Sequence, residues 1–207
     1  MSTQVPLECA CGSVRGAAID VSPRRGTRVV CMCDDCQLYA HWLGSAERVL
    51  DEYGGTDIFQ LAPAQLQITA GVEQIACMRL TEKGVMRWYT ECCRTPIANT
   101  LASAKVPFAG VVHTFMDHQG DGRSRDEALG PVRAKIHARY CPGDPPADAH
   151  PKAPLGLIVR AVRQLLGGVI RRASRPSPFF DAQGKPIAEP YLVSDKERGT
   201  LRVRAGV

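Results

Sequence analysis

Apolar positions along the first 140 residues recur mainly at strand spacing. Ser13 to Val21 (SVRGAAIDV) alternates loosely and stops at Ser22-Pro23, and Thr27 to Cys31 is a short β-rich run. Gln65 to Thr69 and Gln74 to Leu80 follow the same pattern. Thr81-Glu82-Lys83-Gly84 predicts a hairpin turn, with Gly84 at positive φ, feeding a strand from Val85 to Tyr89. Two further strands are predicted at Val106 to Phe115 and Val132 to Tyr140. Between Cys33 and Gly44 the pattern changes: two acids open the segment, apolar residues recur through it and a glycine closes it, which predicts a short helix. The expected fold is mainly β, with antiparallel sheets and one or two short helices.

A second pattern begins after Cys141 to Pro154 (CPGDPPADAHPKAP), whose prolines deny the backbone regular hydrogen bonding. Leu155, Ile158, Val159, Val162, Leu165, Leu166, Val169 and Ile170 recur at helical spacing, with Arg160, Arg163, Gln164 and Arg171 on the other side. Pro154 stands at the expected first turn, and Gly167-Gly168 suggests a kink or a close approach. The simplest expectation packs the apolar face of this helix on the β domain and leaves the arginines in solvent. The alternative lays residues 155–172 on a membrane surface or a partner protein. Phe179, Phe180 and Tyr191 suggest that part of the tail docks on the body, while the last ten or so residues are expected to be disordered. The chain is thus divided into a β domain (1–142), a proline-rich linker (143–153) and a helix with C-terminal extension (154–207).

Charge sharpens this division. Residues 1–151 hold 15 Lys/Arg against 17 Asp/Glu, net −2, and residues 152–207 hold 11 against 4, net +7. The positive excess therefore sits in the last quarter. Aromatics are not interleaved with basic residues in the β domain, so no nucleic-acid interface is expected there. The 207 residues suffice for one well-buried core, and 44% hydrophobic content describes a globular chain. No basic segment followed by an apolar stretch opens the sequence, and no apolar run approaches the roughly 18 residues that span a bilayer. A cytoplasmic setting is expected. Thiols stay reduced there, so the nine cysteines, an odd number, point to metal rather than disulfides.

Seven of those cysteines are clustered: Cys9 and Cys11 (CAC), Cys31, Cys33 and Cys36 (CMCDDC), and Cys92 and Cys93 (ECC). Zinc is the metal that thiolate-rich sites usually select, and a closed tetrahedral site takes four ligands. The pairs 9/11 and 92/93 can supply four. The central group then has three thiols and one open position, the pattern of a reactive site. Cys31 and Cys33, two apart on an extended segment, point to the same side, and Cys36 in the first helical turn can fold back toward them. Asp34 and Asp35 read as first-turn residues. The alternative is a structural metal whose fourth ligand is Cys77 or His41. Cys77 is otherwise expected in the core and Cys141 as a semi-buried free thiol, and His113, His118, His137 and His150 are given no role.

CxCGxV (Cys9 to Val14), CxCxxC (Cys31, Cys33, Cys36) and a GxxRx-aromatic segment leading to Cys93, Thr95 and Pro96 (Gly84, Arg87, Tyr89) occur here in fixed order. Together they resemble the glutathione-dependent formaldehyde-activating enzyme family over roughly Leu7 to Leu101. In that family's pattern Thr90 stands at a cysteine position and Arg94 at a glycine, which makes Cys92 the candidate replacement ligand. Met32 replaces a histidine common in relatives. The resemblance implies a zinc-bearing β-tent fold with two zinc sites. The outer one is structural (Cys9, Cys11, Cys92, Cys93); the central, more labile one is catalytic (Cys31, Cys33, Cys36). It also implies a carbon-sulfur lyase acting on a small thiol such as glutathione and on formaldehyde or another aldehyde, giving S-(hydroxymethyl)glutathione. The alternatives are a non-catalytic zinc-stabilised binding module and a thiol redox protein.

Overall fold

The computed structural model of the chain describes residues 3–116 and 122–207; His118 lies outside the described residues. Along the chain run β1 (Thr3–Glu8), β2 (Arg15–Val21), β3 (Thr27–Cys31), α1 (Asp34–Trp42), α2 (Ala46–Val49), β4 (Thr56–Leu61), β5 (Leu66–Ala70), β6 (Ile75–Arg79), β7 (Met86–Thr90), β8 (Pro96–Thr100) and β9 (Ala109–Val112). Then follow α3 (Arg125–Leu129), β10 (Ala134–Ile136), β11 (Ala149–His150), α4 (Leu155–Ile170), β12 (Tyr191–Leu192) and α5 (Asp195–Ala205). The strands form a three-stranded sheet, order β1-β2-β5, and a nine-stranded sheet, order β11-β10-β3-β4-β9-β8-β7-β6-β12.

Alternation along the strands places two cores on the large sheet. Cys77, Met86 and Trp88 face the small sheet, where they meet Val5, Leu7 and Val14. Ala76, Met78 and Tyr89 face the other way, toward Leu38 and Tyr39 of α1 and Leu201 of α5. With both faces covered, the central strands carry few exposed positions, and β3, β7 and β8 are buried throughout.

Arg28, the one charge in β3, is anchored from three sides. It donates to the Asp57 carboxylate of β4 at 2.8 Å, to the Gly130 carbonyl at 3.1 Å and to Asp126 of α3. A buried guanidinium is tolerated only with such partners. It fixes β3, which ends at Cys31, against its neighbours.

The mainly-β expectation is met, with corrections. The large sheet is mixed rather than antiparallel: β10 pairs parallel with β3 and β11, and β12 pairs parallel with β6. These strands join β3 and β6 from segments far along the chain, and no local pattern announces such a crossover. Among the described residues the β region carries three short α-helices, not one or two. The third is marked by a reciprocal capping box, Ser124 accepting from the Glu127 amide and Glu127 from the Ser124 amide. Finally, the strands predicted at Val106 to Phe115 and Val132 to Tyr140 shrink to β9 and β10, the second cut short by His137 at φ +63°. The predicted turn before β7 is present but Gly84 is not at positive φ; a Cβ there would lie 2.9 Å from the Thr81 hydroxyl.

The tail is built into this architecture. Phe179 is fully buried and stacks on Trp88 at 5.0 Å, with Phe180 edge-on at 5.9 Å. The last residues, expected to be disordered, form α5. Ser194 caps it by accepting from the Glu197 amide, Glu197 accepts from the Trp42 indole at 2.9 Å, and Leu201 packs beside Leu38.

Helix α4 has the predicted extent, but its packing reverses the simplest expectation. Its polar side meets the body: Arg160 donates to the Thr27 hydroxyl at 2.7 Å and to the Pro23 and Gly26 carbonyls. Gln164 donates to the Arg25 carbonyl. Gly168 lies against Pro107, where a Cβ would come within 2.7 Å of the ring. Most of the predicted apolar face points outward. Loop carbonyls left unpaired before β3 are stronger partners for a guanidinium than for a leucine, and that decides which side docks.

Candidate metal centres

The CMCDDC stretch forms the end of β3, a two-residue bend and the first turn of α1. Cys33 is the residue preceding the helix, and its carbonyl accepts from the Cys36 and Gln37 amides. The bend is braced from both sides. The Met32 amide donates to the Ile136 carbonyl of β10, and the buried Gln37 side chain donates to the Met32 and Tyr140 carbonyls at 2.8 and 2.9 Å. This bracing brings three sulfurs within 4.8 Å of one another, with Cys31 and Cys33 at 3.4 Å. Cys31 and Cys36 are buried and Cys33 is half-buried. Ala153 and Leu157, at the start of α4, pack against its flank.

Arg87 of β7, 3% exposed, completes the surroundings. Its guanidinium lies 3.9 Å from the Cys36 sulfur, donates to Asn99 Oδ1 at 3.3 Å, pairs with Asp35 at 3.7 Å and sits over the Tyr39 ring at 5.1 Å. The Cys36 thiol is held well below its usual range: Cys31 and Cys33 both hydrogen-bond to its sulfur, and the Arg87 charge adds to them against the effect of burial. Bonds to Cys33 and Cys36, together with burial, push Cys31 well up. Cys33, lowered by Cys31, is raised more by Cys36 and burial. Tyr39 stays a phenol, raised by burial and donating to the Trp88 carbonyl at 2.9 Å.

The outer group assembles from two segments 83 positions apart. Cys9 and Cys11 flank a tight loop closed by Gly12 N–H to the Cys9 carbonyl, with Gly12 at φ +75°. Cys92 and Cys93 lie in the turn between β7 and β8, docked by the Ala10 amide donating to the Thr95 hydroxyl. The sulfur separations are 3.6 Å for Cys9–Cys11, 3.9 Å for Cys9–Cys92, 3.4 Å for Cys11–Cys92 and 3.8 Å for Cys92–Cys93. All four sulfurs fall within 4.8 Å of one another. The turn that carries adjacent Cys92 and Cys93 is closed by the Arg94 amide donating to the Thr90 carbonyl at 2.8 Å, and the chain leaves it through Arg94 at φ +54°, a conformation costing a side-chain-bearing residue about 1 kcal/mol. Arg94 offsets this by lying over the Trp42 ring at 4.4 Å. Thr90 is fully buried, its hydroxyl 3.3 Å from the Cys93 sulfur. Burial alone would raise the Cys93 thiol, but bonds to Thr90 and Thr95 outweigh it and hold it at about 5. Burial and the bond to Cys11 push Cys92 up to about 12.

Both groups have the geometry to hold a metal ion. The seven clustered cysteines assigned as ligands from sequence all lie in one or the other. Among the described residues neither Cys77 nor His41 joins the central group, so it stands at three ligands. Cys77 is buried in the core, Cys141 is half-buried and Asp34 and Asp35 are first-turn residues. The sequence reading assigned no site role to Arg87, Asn99, Tyr39 or Gln37. The usable signal was Arg87 itself, a lone charge inside the otherwise apolar run VMRWY. A model described as a family of unknown function, DUF6151, matches residues 1–190, and no curated protein matches the chain.

Proposed function

The chain belongs to the DUF6151 family, and we propose that it is a zinc-dependent thiol-handling enzyme, a β-tent protein with one closed structural site and one open reactive site. The observation that carries this reading is the unequal ligand count: four sulfurs in the outer group, three in the central one. A tetrahedral ion with metal–sulfur bonds of about 2.3 Å has sulfur–sulfur edges of about 3.8 Å. Four of the outer separations, 3.4 to 3.9 Å, fit that edge, and all six lie within 4.8 Å. An all-thiol donor set favours zinc over harder ions. The outer site would be held by Cys9, Cys11, Cys92 and Cys93, and the central one by Cys31, Cys33 and Cys36.

Zinc bound at the central site would hold an incoming thiol in its thiolate form at neutral pH. The chain's own residues do the rest. Arg87 places a fixed positive charge against the sulfur cluster, which limits the build-up of negative charge when a further sulfur enters. Gln37 and the Ile136 carbonyl hold the three-cysteine bend rigid, so the fourth direction is preorganised. The substrates supported best, given the resemblance, are a small thiol such as glutathione and formaldehyde or another small aldehyde. The sulfur lone pair attacks the carbonyl carbon, a C–S bond forms, and the C=O π pair moves to oxygen, which takes a proton. The proton lost by the thiol balances the one gained.

Exchange spectroscopy on glutathione and formaldehyde tests the proposal, because the uncatalysed reaction makes product formation alone uninformative. Zinc-loaded protein is expected to accelerate exchange between free and hydroxymethylated thiol. Cys36→Ser should abolish the acceleration while keeping the fold and the outer zinc. Exchange no faster than in buffer would leave a zinc-stabilised binding module and refute the enzyme.

A further inference from the structure

Helix α4 is docked by its polar side, and what it leaves outside is an ordered apolar stripe. Leu155, Val159, Val162, Leu166 and Val169 succeed one another at alternating spacings of four and three, with exposures from 41% (Val159) to 75% (Leu155). Ile170 extends the stripe at 83% exposed. A continuous exposed row of this kind is unusual on a protein surface without a partner. Basic residues border it. Arg24, Arg163 and Arg171 line a shallow groove beside the stripe, with Gly156 and Gly167 also on its wall. Among the described residues none of these three arginines is in an ion pair. From Ala149 to Phe180 the chain has six Lys/Arg and no Asp/Glu.

We propose that α4 is a membrane-surface anchor: it lies in the plane of an anionic bilayer, with its apolar stripe at the acyl boundary and Arg24, Arg163 and Arg171 on lipid phosphates. Charge complementarity selects this occupant. A second copy would bring the same stripe with the same unpaired arginines and no acid to meet them. An acidic bilayer supplies both an apolar layer and a phosphate plane. The net charge of −2 on residues 1–151 confines the attraction to this end of the chain. The helix does not span: 16 residues make about 24 Å, short of the roughly 30 Å hydrocarbon layer. No described helix is long and apolar enough to cross a membrane. The anchor is independent of any chemistry at the thiol sites.

Vesicle co-sedimentation of the full chain tests the assignment. Binding is expected on phosphatidylcholine vesicles doped with phosphatidylglycerol, and little on phosphatidylcholine alone. Each phosphate-facing arginine should contribute roughly five-fold in partitioning, so Arg24→Gln/Arg163→Gln/Arg171→Gln should weaken it by about 100-fold. Molar salt, which shortens the screening length from about 10 to about 3 Å, should do likewise. Val162→Glu/Leu166→Glu changes only exposed positions and should abolish binding with the thermal midpoint unchanged. No binding to the acidic vesicles overturns the proposal, as does equal binding to neutral ones or an unaffected arginine triple variant. A dimer in lipid-free solution that Val162→Glu/Leu166→Glu converts to monomer also overturns it, by assigning the stripe to a second copy.

Discussion

Replacing Arg87 by methionine removes one buried charge from beside the three-cysteine group while keeping most of its volume. The guanidinium lies 3.9 Å from the Cys36 sulfur in surroundings closed to solvent. A unit charge pair at that distance, in an effective dielectric of about 20, interacts by about 4 kcal/mol, and a hydrogen bond to a charged group is worth about 1.5–3 kcal/mol. A zinc ion with three thiolates is net negative, so the variant should lose about 2–4 kcal/mol of central-site binding, roughly 30- to 700-fold in affinity. Asp35 keeps its hydration at 43% side-chain exposure, but the buried Asn99 Oδ1 loses its donor, so the metal-free fold should lose about 1–3 kcal/mol. Competition against a chromophoric chelator, with the outer site already loaded, reads the two sites separately. The outer site should be unchanged, and Arg87→Lys should recover part of the loss. Central-site affinity within threefold of the wild type would refute the charge-compensation argument.

Cys92→Ser should lower bound zinc from two to one per chain and destabilise the fold by several kcal/mol, whereas Cys77→Ser should leave the metal count unchanged; elemental analysis with urea unfolding decides. Asp57→Asn should cost about 3 kcal/mol, the low end for breaking a buried pair, because Asp126 and the Gly130 carbonyl still hold Arg28. Burial alone would raise the Asp57 carboxyl, but Arg28 and Arg125 outweigh it and depress it. Its contribution is therefore full above the unfolded value of about 3.9 and fades as pH falls through the folded value. The gap between wild type and variant in urea titrations should close on acidification; a gap that widens would contradict the pairing. Phe179→Ala should cost about 3–5 kcal/mol by opening a cavity against Trp88, a loss that a loosely attached tail would not show.

Some of the local pattern was legible as it stands. β3 is a short β-rich run with the predicted ends, and α1 follows from two opening acids and a closing glycine. The seven cysteines with the geometry to hold metal were marked by their spacing. What depended on distant partners was not legible. β4 (TDIFQL) carries Asp57 in a buried strand because Arg28 meets it, and nothing near Asp57 in sequence says so. β12 is two residues long and exists because the tail returns to β6. For α4 the periodicity separated the two faces but could not say which one docks; the carbonyls of Pro23 and Gly26, available to Arg160, decided it. Arg87 remained unassigned for the same reason, since Cys36 lies 51 positions away.

The most direct test loads the protein with two equivalents of cadmium-113 and records its resonances before and after glutathione is added. Two resonances are expected, one from four sulfurs that ignores the added thiol, and one from three sulfurs that moves toward the first as a fourth sulfur enters. A single bound ion, or two resonances both indifferent to thiol, would contradict an open site at Cys31, Cys33 and Cys36.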